Sequence, residues 1–131
     1  MRDMMFLSQP SAPATKADQQ VITDLLDTLN AHLDGCVGMA ANMIGVQKRI
    51  IAVRMGFVSV VMMNPDIVAK TGPYETEEGC LSLIGVRKCT RYREIEVSYL
   101  DSSLLPRRQK YTGWIAQIIQ HEVDHCNGVI I

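Results

Sequence analysis

Apolar residues recur at two ends of this chain with the spacing of a helix face, and in the stretch between them with the alternation of a strand. From Lys16 onward Val21, Ile22, Leu25, Leu26, Leu29 and Leu33 fall at i, i+3, i+4 spacing, with Asp18, Gln19, Asp24, Asp27 and Asn30 between them. Thr15 is the expected N-cap of this helix and Gly35 its expected stop. His32, beside the end of the stripe, reads as a structural residue. The preceding segment, Ser8 to Thr15 with Pro10 and Pro13, reads as an irregular lead-in.

The middle of the chain is strand material. Arg49 to Met55 and Val58 to Met63 are rich in Ile and Val around Gly56. From Arg93 to Leu100, Ile95, Val97 and Tyr99 alternate with Glu94, Glu96 and Ser98. These runs predict antiparallel strands with one wet face. Thr71-Gly72-Pro73 reads as a turn, and Asp101 to Lys110, with Pro106-Arg107-Arg108, as a polar loop.

A second helical pattern begins at Gly113, with Thr112 as its expected cap. Trp114, Ile118, His121 and His125 are separated by steps of 4, 3 and 4, so both histidines continue one inward-pointing stripe. A helix, a set of strands and a closing helix, without β-α-β alternation, predict an α+β fold with antiparallel sheets packed around the C-terminal helix.

Composition narrows the function classes. The 131 residues fit one domain, 1–131, and at 47% hydrophobic and 21% charged they are too apolar for disorder. A formal net charge of −1 gives no global field toward nucleic acid or anionic lipid. With 8 Met against 7 aromatic residues, the core must rely on aliphatic and thioether side chains. The N-terminal apolar run is too short for a secretory signal, no stretch approaches the ~18 apolar residues of a membrane span, and Cys36, Cys80, Cys89 and Cys126 form no Cys-x-x-Cys pair. A cytoplasmic protein with reduced thiols is expected.

The candidate chemistry is at the C-terminal helix. His121-Glu122-Val123-Asp124-His125 is an H-E-x-x-H pattern. Imidazoles at i and i+4 lie one turn apart and can share a divalent metal, while Glu122, about 100° further round, can reach a water activated by it. That is machinery for hydrolysing an amide-type bond; the plainer alternative is two core histidines satisfied by hydrogen bonds. A catalytic metal wants three protein ligands and an open position. Only six residues follow His125, Ile131 stands where an extended motif would place a downstream ligand, and Cys126 points about 140° away from His121. A third ligand is therefore expected upstream, among Asp, Glu, Cys and His32. Glu78-Gly79-Cys80-Leu81-Ser82 stands out there: Gly79 permits a sharp turn or close approach, Cys80 offers a thiolate, and the next backbone N–H could face an oxyanion.

These residues resemble the peptide deformylases. Gly38-Met39-Ala40-Ala41-Asn42-Met43-Ile44-Gly45 is similar to that family's Gly-x-Ala-Ala loop, Glu78-Gly79-Cys80-Leu81-Ser82 to its Glu-Gly-Cys-Leu-Ser segment, and Gln120 to His125 to its helical motif. Arg49-Ile50-Ile51, Asn64-Pro65, Arg91 and Asn127-Gly128 also fit, so the likeness runs from about residue 9 to the end. It implies a deformylase-like fold and a metal, natively ferrous iron, on Cys80, His121 and His125. Zinc or nickel could substitute, since such ligands suit several metals. It further implies Glu122 as general acid and base, the Leu81 backbone N–H as oxyanion donor, and a substrate groove at Gly38, Met43, Ile44, Glu78 and Gly79. The implied substrate is the formyl-Met end of nascent polypeptides, handled by a cytoplasmic monomer with no nucleic-acid or membrane partner. The long C-terminal helix of many members is missing here, which weakens the case for ribosome contact through it.

Two departures stand out. Met43 occupies the place of a glutamine whose amide donates to the oxyanion, and a thioether has no N–H; losing such a donor typically costs ~10²–10³ in turnover. Asn42 replaces the usual proline and could donate instead if the loop shifts; Ile84 replaces another proline. The expectation is thus a small metal-dependent deformylase of reduced rate, with a catalytically impaired deformylase-like metal- and peptide-binding protein as the alternative. A metalloprotease is disfavoured by the missing downstream ligand and the upstream cysteine.

Overall fold

Over residues 11–15, 18–31, 37–55, 58–79 and 86–127, which it describes, the computed structural model runs α1 (Gln19–Ala31), β1 (Gly38–Ala40), a 3-10 turn (Ala41–Ile44), β2 (Ile50–Met55), β3 (Val58–Gly79), β4 (Val86–Leu100), β5 (Pro106–Thr112) and α2 (Gly113–Cys126). The strands form one antiparallel sheet in sequential order, β1-β2-β3-β4-β5. The closing helix α2 touches all five strands, while α1 packs on β1, β2 and β3. With both helices against β2, Ile50, Ile51, Ala52 and Val53 are all buried, which explains their unbroken apolar run.

The periodicities translate into packing. Ile22, Leu25 and Leu29 are the buried residues of α1, and Ile95, Val97 and Tyr99 those of the alternating stretch of β4. Met39, Met43, Met62 and Met63 fill the core beside them. The first helix is described from Gln19, Lys16 and Ala17 lying outside the described residues, and Thr15 gives its N–H to the Asp18 carboxylate at 2.8 Å. His32, Leu33, Gly35 and Cys36 lie outside the described residues.

Three expectations are corrected. Thr71-Gly72-Pro73 is no turn but the interior of the 22-residue β3, with Thr71 opposite Glu94 and Pro73 opposite Tyr92. Gly72 takes a positive φ of 72° there, and a Cβ would meet the Arg93 side chain at 3.1 Å. Beyond Met63, β3 has β4 on one side and no longer pairs with β2 on the other, so Pro73 has no ladder bond to donate. The polar loop 101–110 is a turn only as far as Leu105; Pro106 to Lys110 belong to β5. An edge strand can carry exposed charge, and here Arg107 pairs with Asp101, Arg108 with Glu96 and Lys110 with Glu94. Trp114 does not point inward but is 61% exposed, and with Tyr74, Arg93 and Gln117 it lines an open cavity of about 580 Å³.

The segment before α1 is stitched across the core. Ser11 N–H donates to Cys126 O at 2.7 Å, Ala12 bridges to Lys48, and the Asn64 side chain bonds both the N–H and the C=O of Ala14 at 2.6 and 3.0 Å. Asn64 holds a left-handed φ of 51° next to the irregularity where β3 changes neighbours.

Candidate metal centre

The last two turns of α2 press against the sheet, and Gln120, His121, Glu122, Val123, His125 and Cys126 are all buried. One turn separates His121 and His125, whose Nε2 atoms stand 3.1 Å apart with ring planes inclined at 67°. Two imidazole nitrogens on one tetrahedral cation, each at about 2.0–2.1 Å, lie roughly 3.3 Å apart, so this spacing fits shared coordination. Ligand atoms of His121, Glu122 and His125 all lie within 4.8 Å of one another.

The tautomer of His121 is set from behind. Its Nδ1 lies 2.7 Å from Glu78 Oε1, and a carboxylate there requires the proton on Nδ1, which leaves the Nε2 lone pair facing His125. Glu78 is held by the fork of Arg91, with Nε and Nη2 at 2.7–3.1 Å, and by Gln117 Nε2 at 2.8 Å. Arg91 also donates to Asp124, tying the network to α2 itself. Burial pushes the Glu78 carboxyl upward, but the hydrogen bonds from His121, Arg91 and Gln117 outweigh it and hold the group well below the usual carboxylate range. Arg91, desolvated in the same place, is held above its ordinary value by Glu78 and Asp124.

The loop before β2 closes the other side. A Cβ on Gly38 would sit 2.7 Å from Ile118 Cγ2 and 3.0 Å from Glu122 Oε2, so only glycine lets β1 come this close to α2. Met43 is buried and its Sδ accepts from the Ala40 N–H at 3.4 Å, while Ile44 is half-buried against the core. The Asn42 amide does not act in place of the missing glutamine here: its Nδ2 donates to the His125 carbonyl at 2.8 Å.

The structure thus brings His121, His125, Glu122, Gly38 and Glu78 together. Glu78, expected in a substrate groove, stands behind His121 as its hydrogen-bond acceptor. Gly79 is the last described residue of β3, opposite Val86; Cys80, Leu81 and Ile84 lie outside the described residues. Cys126 stands apart from the cluster, its thiol pushed up to about 12 by burial. Residue-by-residue reading missed Arg91 as the anchor of Glu78. The signal was present: Arg91 falls in phase with Ile95, Val97 and Tyr99, on the buried face of β4.

Comparison with known proteins agrees. The family model for polypeptide deformylases matches residues 3–131. The chain is 56% identical over 131 residues to a peptide deformylase of Clostridium beijerinckii, covering 100% of this chain and 96% of that one. It is 34% identical over 126 residues to one of Thermoanaerobacter pseudethanolicus, covering 95% and 79%. A crystal structure of a peptide deformylase from Legionella pneumophila matches with a TM-score of 0.85 at 32% identity, covering 95% and 77%. One from Synechococcus elongatus, in complex with actinonin, matches with a TM-score of 0.85 at 35% identity, covering 95% and 70%.

Proposed function

Because the chain belongs to the polypeptide deformylase family, we propose that it hydrolyses the formyl amide on the N-terminal methionine of newly made polypeptides in the cytoplasm. In this reading Cys80, His121 and His125 hold a divalent cation, natively ferrous iron with zinc or nickel able to replace it. The observation that carries it is the pair of Nε2 atoms 3.1 Å apart, with the Glu122 carboxylate in the same buried cluster and Glu78 fixing His121 from behind.

When bound, the cation supplies Lewis acidity that lowers the pKa of water and polarises a carbonyl. Glu122 takes a proton from the attacking water as its oxygen bonds the formyl carbon. It delivers that proton to the amide nitrogen as the C–N bond breaks, leaving formate and a free amine. Glu78 keeps the His121 proton on Nδ1, so the imidazole presents a lone pair throughout. Gly38 lets β1 lie directly against Glu122, and the Leu81 N–H is assigned to the developing oxyanion.

The test is formate release from a formyl-Met peptide, measured anaerobically with metal analysis on the same sample. Glu122→Ala is expected to lower the rate by ~10²–10⁴. A fully metallated wild-type sample that releases no formate overturns the enzymatic reading.

Met43 supports a second reading, in which the chain keeps metal and peptide binding with impaired turnover. Its sulfur can only accept, and it already accepts from Ala40. This version expects tight binding of a metal-chelating hydroxamate with little turnover, and a rise of up to ~10²–10³ in kcat for Met43→Gln. A Met43→Gln variant no faster than wild type removes that explanation.

A further inference from the structure

The C-terminal end of α2 carries His125 one residue before the helix stops, and the backbone N–H of Asn127 caps this end toward the Val123, Asp124 and His125 carbonyls. Two distant segments supply donors to this end. The Ser11 N–H takes the Cys126 carbonyl at 2.7 Å, and the Asn42 Nδ2 takes the His125 carbonyl at 2.8 Å across 83 residues of sequence. Asn42 is 1% exposed, so its amide makes this bond away from competing water.

The same short loop touches α2 again at Gly38, where β1 approaches so closely that a Cβ would collide with Ile118 and Glu122. Gly38 and Asn42 therefore span the site face of α2, one against Glu122 and the other at His125. The Gly38 contact is a steric limit that sets how near the loop can come. The Asn42 bond is directional and fixes where the His125 peptide lies relative to the loop. Displacing that peptide moves the imidazole on it, and a change of a few tenths of an ångström alters the 3.1 Å separation from His121.

We propose that Asn42 is a positioning residue for the metal site, acting through the His125 carbonyl to hold the His125 imidazole in register with His121. The inference rests on the reading of both histidines as ligands. Glu78 orients one of them through its ring; Asn42 orients the other through its backbone. Asn42 touches neither substrate nor cation in this scheme.

The test uses the full-length protein loaded with cobalt(II), whose visible d–d spectrum reports ligand geometry, and follows metal release to excess chelator. Asn42→Leu keeps the branched shape of the side chain and removes the donor; it is expected to change the cobalt spectrum and to speed release about tenfold or more, in the range seen when an outer partner of a ligand is lost. Arg49→Leu is the control. It removes bonds from Arg49 to Asn127 and to the Pro65 carbonyl at the same helix end without touching His125, and is expected to lower Tm with release within about twofold of wild type. If Asn42→Leu does not fold, Asn42→Ser, smaller and still hydrogen-bonding, carries the same readout and is expected to give an intermediate acceleration. An Asn42 variant with unchanged spectrum and release overturns the proposal, as does release that merely tracks Tm in both variants. Wild-type protein that binds no cobalt overturns the metal reading itself, and this inference with it.

Discussion

Two charged contacts are made along β4, one at Arg91 and one at Glu96, and they lie at very different depths. Near its start, Arg91 grips Glu78 and Asp124 with a side chain 4% exposed; further along, Arg108 pairs with Glu96 across to β5 with a side chain 63% exposed. Both are arginine–carboxylate contacts between neighbouring elements. In water the attraction is nearly cancelled by screening and by the entropy of holding two long side chains still. Out of water each charge has already lost its hydration, and every donor left without an acceptor costs in full. The buried set therefore holds a histidine in one tautomer, while the exposed set decorates an edge and discourages further strand pairing.

The sharpest way to break this comparison is Arg91→Leu, which leaves the Glu78 carboxylate buried without its guanidinium partner. A loss of about 3–5 kcal/mol in urea unfolding is expected, and a loss below about 1 kcal/mol would place both sets in the same class. Next in size is Glu78→Gln, nearly isosteric but able to present an N–H to His121 Nδ1 and so to favour the other tautomer. Metal affinity, measured by chelator competition, should fall ~10–100-fold while the fold is retained.

Acid titration sharpens the same contrast in metal-stripped protein. The Glu78 carboxyl is held below its ordinary value of 4.5, so its stabilising contribution is complete above that pH and is lost progressively as the pH falls below it. The stability of wild type should decline on that side, and the Glu78→Gln variant should show a flatter acid limb in urea midpoints; parallel curves would contradict the assignment. The smallest effect belongs to Arg108→Ala, for which unfolding should change by less than about 1 kcal/mol.

Much of this molecule was legible in its residues, and the illegible parts share a cause. Periodicity located α1, the alternating part of β4 and α2, because burial on one face leaves a repeating mark, and the unbroken apolar run located β2. The H-E-x-x-H spacing placed His121, Glu122 and His125 together, since one helical turn does so wherever the helix lies. Local punctuation misled where tertiary pairing overrode it. Gly72 and Pro73 are turn residues in isolation, yet β4 alongside carries the strand through them. Pro106 to Lys110 look like loop because an edge strand has no need of apolar side chains. Contacts formed across long separations left no local trace: the Asn42 amide on the His125 carbonyl, and the turning of Glu78 from the expected groove to the back of His121.

The stitching of Ser11, Ala12 and Ala14 onto Cys126, Lys48 and Asn64 has a consequence for the order in which the molecule can be made. During synthesis the sheet can pair strand by strand as each follows its neighbour, because its order in space is its order in the chain. The segment at Ser11 emerges first, but its last partner is the carbonyl of Cys126. Likewise, the Asn42 amide and the Glu78 carboxylate wait for His125 and His121, 83 and 43 residues further on. The sheet thus precedes the cluster: His121, Glu122 and His125 come together beside Gly38 and Glu78 only when α2 docks on strands already made.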